Sequence, residues 1–146
     1  MPAASSRDLS LAAYRGLAEF RHQIRKFLRY SEDAARAHGV EPQQHQLLLA
    51  IKGLPLGKLP TIGELADRLK IRHHSAVELI DRLADHGAIA RETGEDDRRE
   101  VLIRLTPAGE RILRKLTLEH RAELGNTGPE LMKALQAVLN LTKGQD

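Results

Sequence analysis

The stretch Thr93–Pro107, TGEDDRREVLIRLTP, decides how the whole chain is read. Its first half holds an unbroken charged run from Glu95 to Arg99. Its second half, Glu100, Val101, Leu102, Ile103, Arg104, Leu105, has the apolar alternation of a half-buried strand. A solvated loop explains the charges and a strand explains the alternation; a hairpin with an exposed charged tip explains both. The preceding AIARE, residues 88–92, supplies the first strand. Thr106 and Pro107 then fit the N-cap and first turn of a new helix.

Working backwards from the hairpin, HHSAVELIDRLADHG places Ala76, Leu79, Ile80, Leu83 and Ala84 in one helical arc, and Gly87 stops it. Before it, Thr61 and Glu64 form a Thr-x-x-Glu capping box that opens TIGELADRLK, with Leu65, Ala66 and Leu69 as its buried side. Two short helices joined by a tight turn, the second amphipathic, make a helix–turn–helix. Followed directly by the hairpin, the order is that of a winged helix–turn–helix. Pro42 opens an earlier helix through HQLLLAIKG to Gly53, and GLPLGKLP is the connection.

The chain's two ends read as helices around this centre. From Leu9 to about His38, Leu17, Phe20, Ile24, Phe27, Leu28, Ser31 and Ala35 form one stripe opposite Arg15, Glu19, Arg25, Arg29 and Arg36. A helix of that length exceeds what a small core covers, so a partner subunit is expected. Past the hairpin, Ile112, Leu113 and Leu116 line a helix to about Leu124, GNTG is expected to break it, and Thr127 with Glu130 suggests a second capping box before Leu131, Leu135, Val138 and Leu139. Residues 1–7 are expected to be disordered. The fold class is mainly α with a small β-hairpin wing. Its expected divisions are 1–40, an N-terminal dimerisation helix; 41–105, the winged helix–turn–helix; and 106–146, C-terminal dimerisation helices.

Bulk properties narrow the function. The 146 residues are 41% hydrophobic but only 3% aromatic, so the core is aliphatic. The absence of cysteine excludes disulfides and thiolate metal sites. No apolar run approaches a membrane span, and MPAASSRDLS does not read as a signal peptide, so a cytoplasmic protein is expected. The net charge of +3 suits a nucleic-acid partner, yet residues 61–104 hold eight Lys or Arg against ten Asp or Glu. Phosphate binding there would rest on particular residues and not on a broad positive field. No phosphate loop, nucleophile elbow or metalloprotease motif is present, so an enzyme is not expected.

The residues from Thr61 to Gly109 resemble the multiple-antibiotic-resistance regulator (MarR) family. The resemblance rests on TIGELADRL, on AVELIDRLADHGAI, and above all on Asp97-Arg98-Arg99 followed by Leu105-Thr106 and Gly109, which matches the family's wing signature. It implies a dimeric winged-helix transcription regulator. One departure stands out: where family recognition helices often read Ser-Arg-Ser-Thr-Val-x-Arg, this chain has Arg72, His73, His74, Ser75, Ala76, Val77 and Glu78. Two histidines and a carboxylate therefore stand in the reading segment.

From helix geometry, Arg72, His73, His74, Ser75, Glu78 and Arg82 are the candidates for major-groove contact, with a merely solvated polar face as the alternative. Arg82 has a second option, pairing with Glu78 four residues earlier. In the wing, Arg99 is the candidate for the minor groove, Asp97 for orienting it, and Arg98 for phosphate; the resemblance implies the same use of Asp97 and Arg99. His22, His45 and His120 raise a zinc-responsive regulator as an alternative, without the usual i, i+4 ligand pair. A winged-helix interaction protein that does not bind DNA is another. The expected partners are double-stranded DNA, a second copy of the chain and, by resemblance, a small aromatic or phenolic anion as effector, for which Arg15, Arg25 and His45 are candidates. No cofactor, metal or membrane partner is expected. Taken together, these features lead to the expectation of a ligand-responsive repressor on a palindromic operator.

Overall fold

A computed structural model describes residues 9–143. The expectation for residues 1–7 lies outside them. The elements run α1 (Leu11–Ala37), α2 (Pro42–Lys52), α3 (Ile62–Leu69), α4 (His73–Asp85), β1 (Ile89–Thr93), β2 (Val101–Leu105) and α5 (Pro107–Lys143). The described residues are mainly helical with one antiparallel hairpin, as the alternation and the capping signals indicate.

Two compact units emerge. One holds residues 32–119, and the other combines residues up to Ser31 with those from His120 onward. The divisions fall inside α1 and α5, whereas the sequence reading placed them at residues 40 and 105, beyond the end of one helix and before the start of the other. The last turns of α1 and the first turns of α5 are thus built into the winged unit.

The winged unit is organised around an aliphatic core. Leu47 and Leu48 of α2, Leu65 of α3, Leu79, Ile80 and Leu83 of α4, Ile89 of β1, Ile103 and Leu105 of β2, and Leu113 of α5 form one buried cluster. Local chemistry fixes the helix ends that frame it. Thr61 caps α3, its hydroxyl accepting the Glu64 N–H at 3.1 Å. Lys70 closes α3 in the left-handed region at φ 56°, which turns the chain sharply into α4. At α5, Thr106 Oγ1 accepts the Gly109 N–H at 3.2 Å and donates to Gly87 O at 2.6 Å. The predicted N-cap therefore also ties the end of the wing to the turn after α4.

The hairpin pairs Ile89 with Leu105, Arg91 with Ile103 and Thr93 with Val101. These positions share the face that covers the core. Going outward, burial falls away: Ile103 and Leu105 are buried, while Val101 is 40% exposed. The apolar alternation would bury Val101 with the other two, but the hairpin has already left the core at that register. A bridge between Thr61 and Leu102, with the Ile103 N–H donating to Pro60 O at 2.9 Å, covers the other side of β2.

In the second unit GNTG does not break the helix: α5 is continuous through Pro129. Glycine and proline lower helix propensity without forbidding a helix. Thr127, expected to start a new helix, instead bonds back within this one, donating from Oγ1 to Glu123 O at 2.9 Å. Farther along, Ala134 is buried. His120 is half-buried, with its Nε2 2.8 Å from Ser31 Oγ and its ring edge-on to Phe27 and Tyr30.

Candidate nucleic-acid interface

The second helix of the helix–turn–helix is α4. Its buried side, Ala76, Leu79, Ile80 and Leu83, anchors it in the core. This fixes which residues face out. Arg72 stands at the N-cap in extended conformation, His73 and His74 open the helix, and all three are exposed. Glu78 and Arg82 are exposed as well, and Ser75 is half-buried. The N-terminal end of α4 thus presents two imidazoles and a guanidinium to solvent, with Glu78 one turn on. No ion pair joins Glu78 to Arg82 among the described residues, so the intrahelical option is not taken. Arg82 instead borders an open groove of about 440 Å³ with Arg36, Glu41 and Gln44.

The wing tip, residues 94–100, is held by its own backbone. The Gly94 N–H donates to Glu100 O at 2.8 Å, and the Glu100 N–H to Asp97 O at 3.0 Å. Gly94 is required by space: a Cβ there would lie 2.8 Å from Asp97 O. Asp97 Oδ1 accepts the backbone N–H of Arg99 at 2.9 Å. The expected orienting contact exists, but it acts on the backbone; among the described residues the Asp97 carboxylate makes no ion pair with the Arg99 guanidinium. Aspartate at such a place forms an Asx-turn, which shapes the loop and leaves the arginine side chains free to project. Asp97, Arg98 and Arg99 are all exposed.

Two further charged pairs tie the wing together. Asp81 of α4 pairs with Arg91 of β1, and Glu92 of β1 pairs with Arg104 of β2. Sequence reasoning missed both. The second was accessible in principle as a diagonal cross-strand pair, once the register was known. The first joins residues ten apart across a turn, with no periodic signal.

The remaining candidates are dispersed. Arg15 and Arg25 lie exposed along α1 in the helical unit, and His45 is buried in the winged unit. His22 is exposed. Among the described residues no three His, Cys, Asp or Glu side chains are gathered as a metal site requires. A groove of about 270 Å³ in the helical unit is lined by apolar residues, Leu9, Ala13, Tyr14, Leu17, Val138 and Leu141, with Thr142.

A helix–turn–helix whose outward helix is followed by a projecting charged hairpin defines the class: a winged helix–turn–helix protein. Within that class, the MarR family model matches residues 38–100, from just past the end of α1 to the foot of β2. Solved structures share the fold over most of the chain. A MarR family transcription regulator, SP03579, is 24% identical, with a TM-score of 0.69 over 89% of this chain and 87% of that one. AbsC, a MarR family transcriptional regulator from Streptomyces coelicolor, is 20% identical, with a TM-score of 0.70 over 95% and 99%. A cysteine-to-serine mutant of MarR from E. coli, solved in complex with operator DNA, is 22% identical, with a TM-score of 0.63 over 85% and 88%. No curated protein matches the sequence.

Proposed function

We propose that this protein is a regulator of the MarR type that binds DNA, a homodimeric repressor released by a small ligand. The family is one of regulators and not of enzymes. One observation carries the reading: α4 exposes Arg72, His73, His74, Glu78 and Arg82 beside a wing tip that exposes Arg98 and Arg99. In this reading the first set enters the major groove, with Ser75 at its margin, and Arg99 the minor groove, while Asp97 shapes the loop that carries it. The complex of the E. coli relative with operator DNA supports the same use of the fold.

Dimerisation is supported by the helical unit, where Leu11 is 61% exposed, Tyr14 59% and Met132 73%. Apolar side chains in that number along two long helices call for a covering surface. A two-fold dimer would match a palindromic operator with half-sites about one helical turn apart. The effector we favour is an aromatic or phenolic anion that shifts the population toward a form unable to span both half-sites. The working compartment is the cytoplasm, where the DNA is; among the described residues no helix is long and apolar enough to cross a membrane.

The acidic balance of residues 61–104 favours a second reading, a winged-helix interaction protein. Titrating the protein onto the promoter DNA beside its own coding gene at several salt concentrations separates the two. A regulator gives saturable binding that weakens steeply with salt. Binding no tighter than to unrelated DNA would favour the interaction protein.

A further inference from the structure

We infer that Asp81 and Arg91 are a positioning pair that sets the wing against the recognition helix; the inference rests on the DNA-binding reading above. Arg91 pairs with Ile103, so its side chain leaves the same hairpin face as Ile89 and Leu105, the face that covers the core. An arginine on that face must find an anion or reach solvent. Arg91 does both: its guanidinium meets the Asp81 carboxylate, and the two side chains remain 41% and 55% exposed.

The register makes this the point where the wing departs from the domain. One pair inward, Ile89 and Leu105 are buried; one pair outward, Val101 is exposed. Beyond it, apart from the bridge of Leu102 to Thr61, the wing is held by its own hydrogen bonds and by the cross-strand pair of Glu92 with Arg104. On the other side, Asp81 lies seven residues after His74 and three after Glu78, on the same side of α4. The link therefore runs between the side of the helix proposed to read bases and the root of the hairpin proposed to enter the minor groove. Each element reaches DNA alone; binding with both at once requires their spacing to be held. That spacing is what the pair supplies. Its exposure argues against a large share in folding stability, because solvated ion pairs contribute little.

The test measures affinity for the promoter duplex by fluorescence anisotropy across a salt series, with thermal melting alongside. The variants are D81N, R91Q and the exchanged pair D81R with R91D. Each single variant is expected to weaken binding by about tenfold, the scale of coupling between residues in contact. The melting temperature and the salt slope should stay near those of the unsubstituted protein, and the exchanged pair should recover affinity to within about threefold. A pair that matters only for folding moves melting and affinity together, which overturns the inference. Tighter binding by D81N with a salt slope shallower by roughly 0.9 for R91Q also overturns it, since Arg91 is then itself a phosphate ligand that Asp81 masks. So does an exchanged pair as weak as the worse single variant. If the unsubstituted protein shows no specific, salt-dependent binding, the DNA reading itself fails, and the pair's role on DNA with it.

Discussion

Replacing Gly109 by alanine tests whether the junction between wing and α5 is as tight as the structure makes it. A Cβ built at Gly109 lies 2.0 Å from the carbonyl oxygen of Ala88 and 3.0 Å from its carbon. Ordinary carbon–oxygen contact begins near roughly 3.3 Å, so the two backbones would have to part by roughly 1 Å. That carbonyl is already in use, accepting the Thr106 N–H at 3.0 Å, and Ala88 is fully buried beside the core. Forced overpacking of this kind costs about 1–3 kcal/mol, and weakening one buried hydrogen bond adds about 1 kcal/mol. Against these, alanine favours the helix over glycine by up to about 1 kcal/mol. The net expectation is a loss of about 2 kcal/mol, a fall in melting temperature of roughly 4–8 °C for a chain of this size. Urea unfolding at one fixed protein concentration measures it. The sign decides the matter: if alanine stabilises the protein, as helix propensity alone predicts, the close approach to Ala88 is not real.

Substitutions at four further residues probe other parts of the fold. Asp97→Ala should weaken DNA binding by loosening the turn beneath Arg98 and Arg99, while Asp97→Asn, which keeps an acceptor for the Arg99 N–H, should bind at least as well as the natural residue; equal effects of the two in anisotropy titrations would show that charge and not loop shape governs the tip. Alanine at His74 or Glu78 should change base preference more than overall affinity, because base-edge contacts specify while phosphate contacts position; selected-site binding with unchanged preference for both variants would move the readout off this face of α4. Pro129→Ala should raise stability by about 1–3 kcal/mol by restoring a backbone donor inside α5, and a drop in the urea midpoint would mean that the proline fits a shape the helix needs.

Much of the winged unit was legible because its signals are local. The alternation of residues 100–105 needs no tertiary information, and neither does a threonine followed three residues later by glutamate or by a backbone amide to cap. The buried side of α4 follows from spacing alone. What escaped the sequence was decided by distance or by competition. GNTG reads as a breaker, yet a helix already formed on both sides can absorb weak formers, and Thr127 turns from a cap into an intrahelical donor. Val101 alternates like its neighbours, but alternation does not say where the core ends. Asp97 and Arg99 sit close by spacing; that the bond goes to the backbone depends on the loop's conformation. The Asp81–Arg91 pair needs the α4–β1 turn in place before either residue can be seen as a partner. The charge count of residues 61–104 could not show that Arg98 and Arg99 stand on a tip while Arg91 and Arg104 are matched with acids.

The bridge from Thr61 to Leu102 bears on how the protein behaves when concentrated. With Pro60 and Thr61 on one side and β1 on the other, β2 has no open edge for a foreign strand among the described residues. β1, five residues long, is then the outer strand of the sheet, and its middle carries Arg91 and Glu92, already matched with Asp81 and Arg104. A strand adding there would have to accommodate two charges and disturb both pairs for the sake of a few backbone bonds. Short, charged edges of this kind are how sheets avoid joining one another. A hairpin built to stand away from its domain is thereby kept from seeding fibrils.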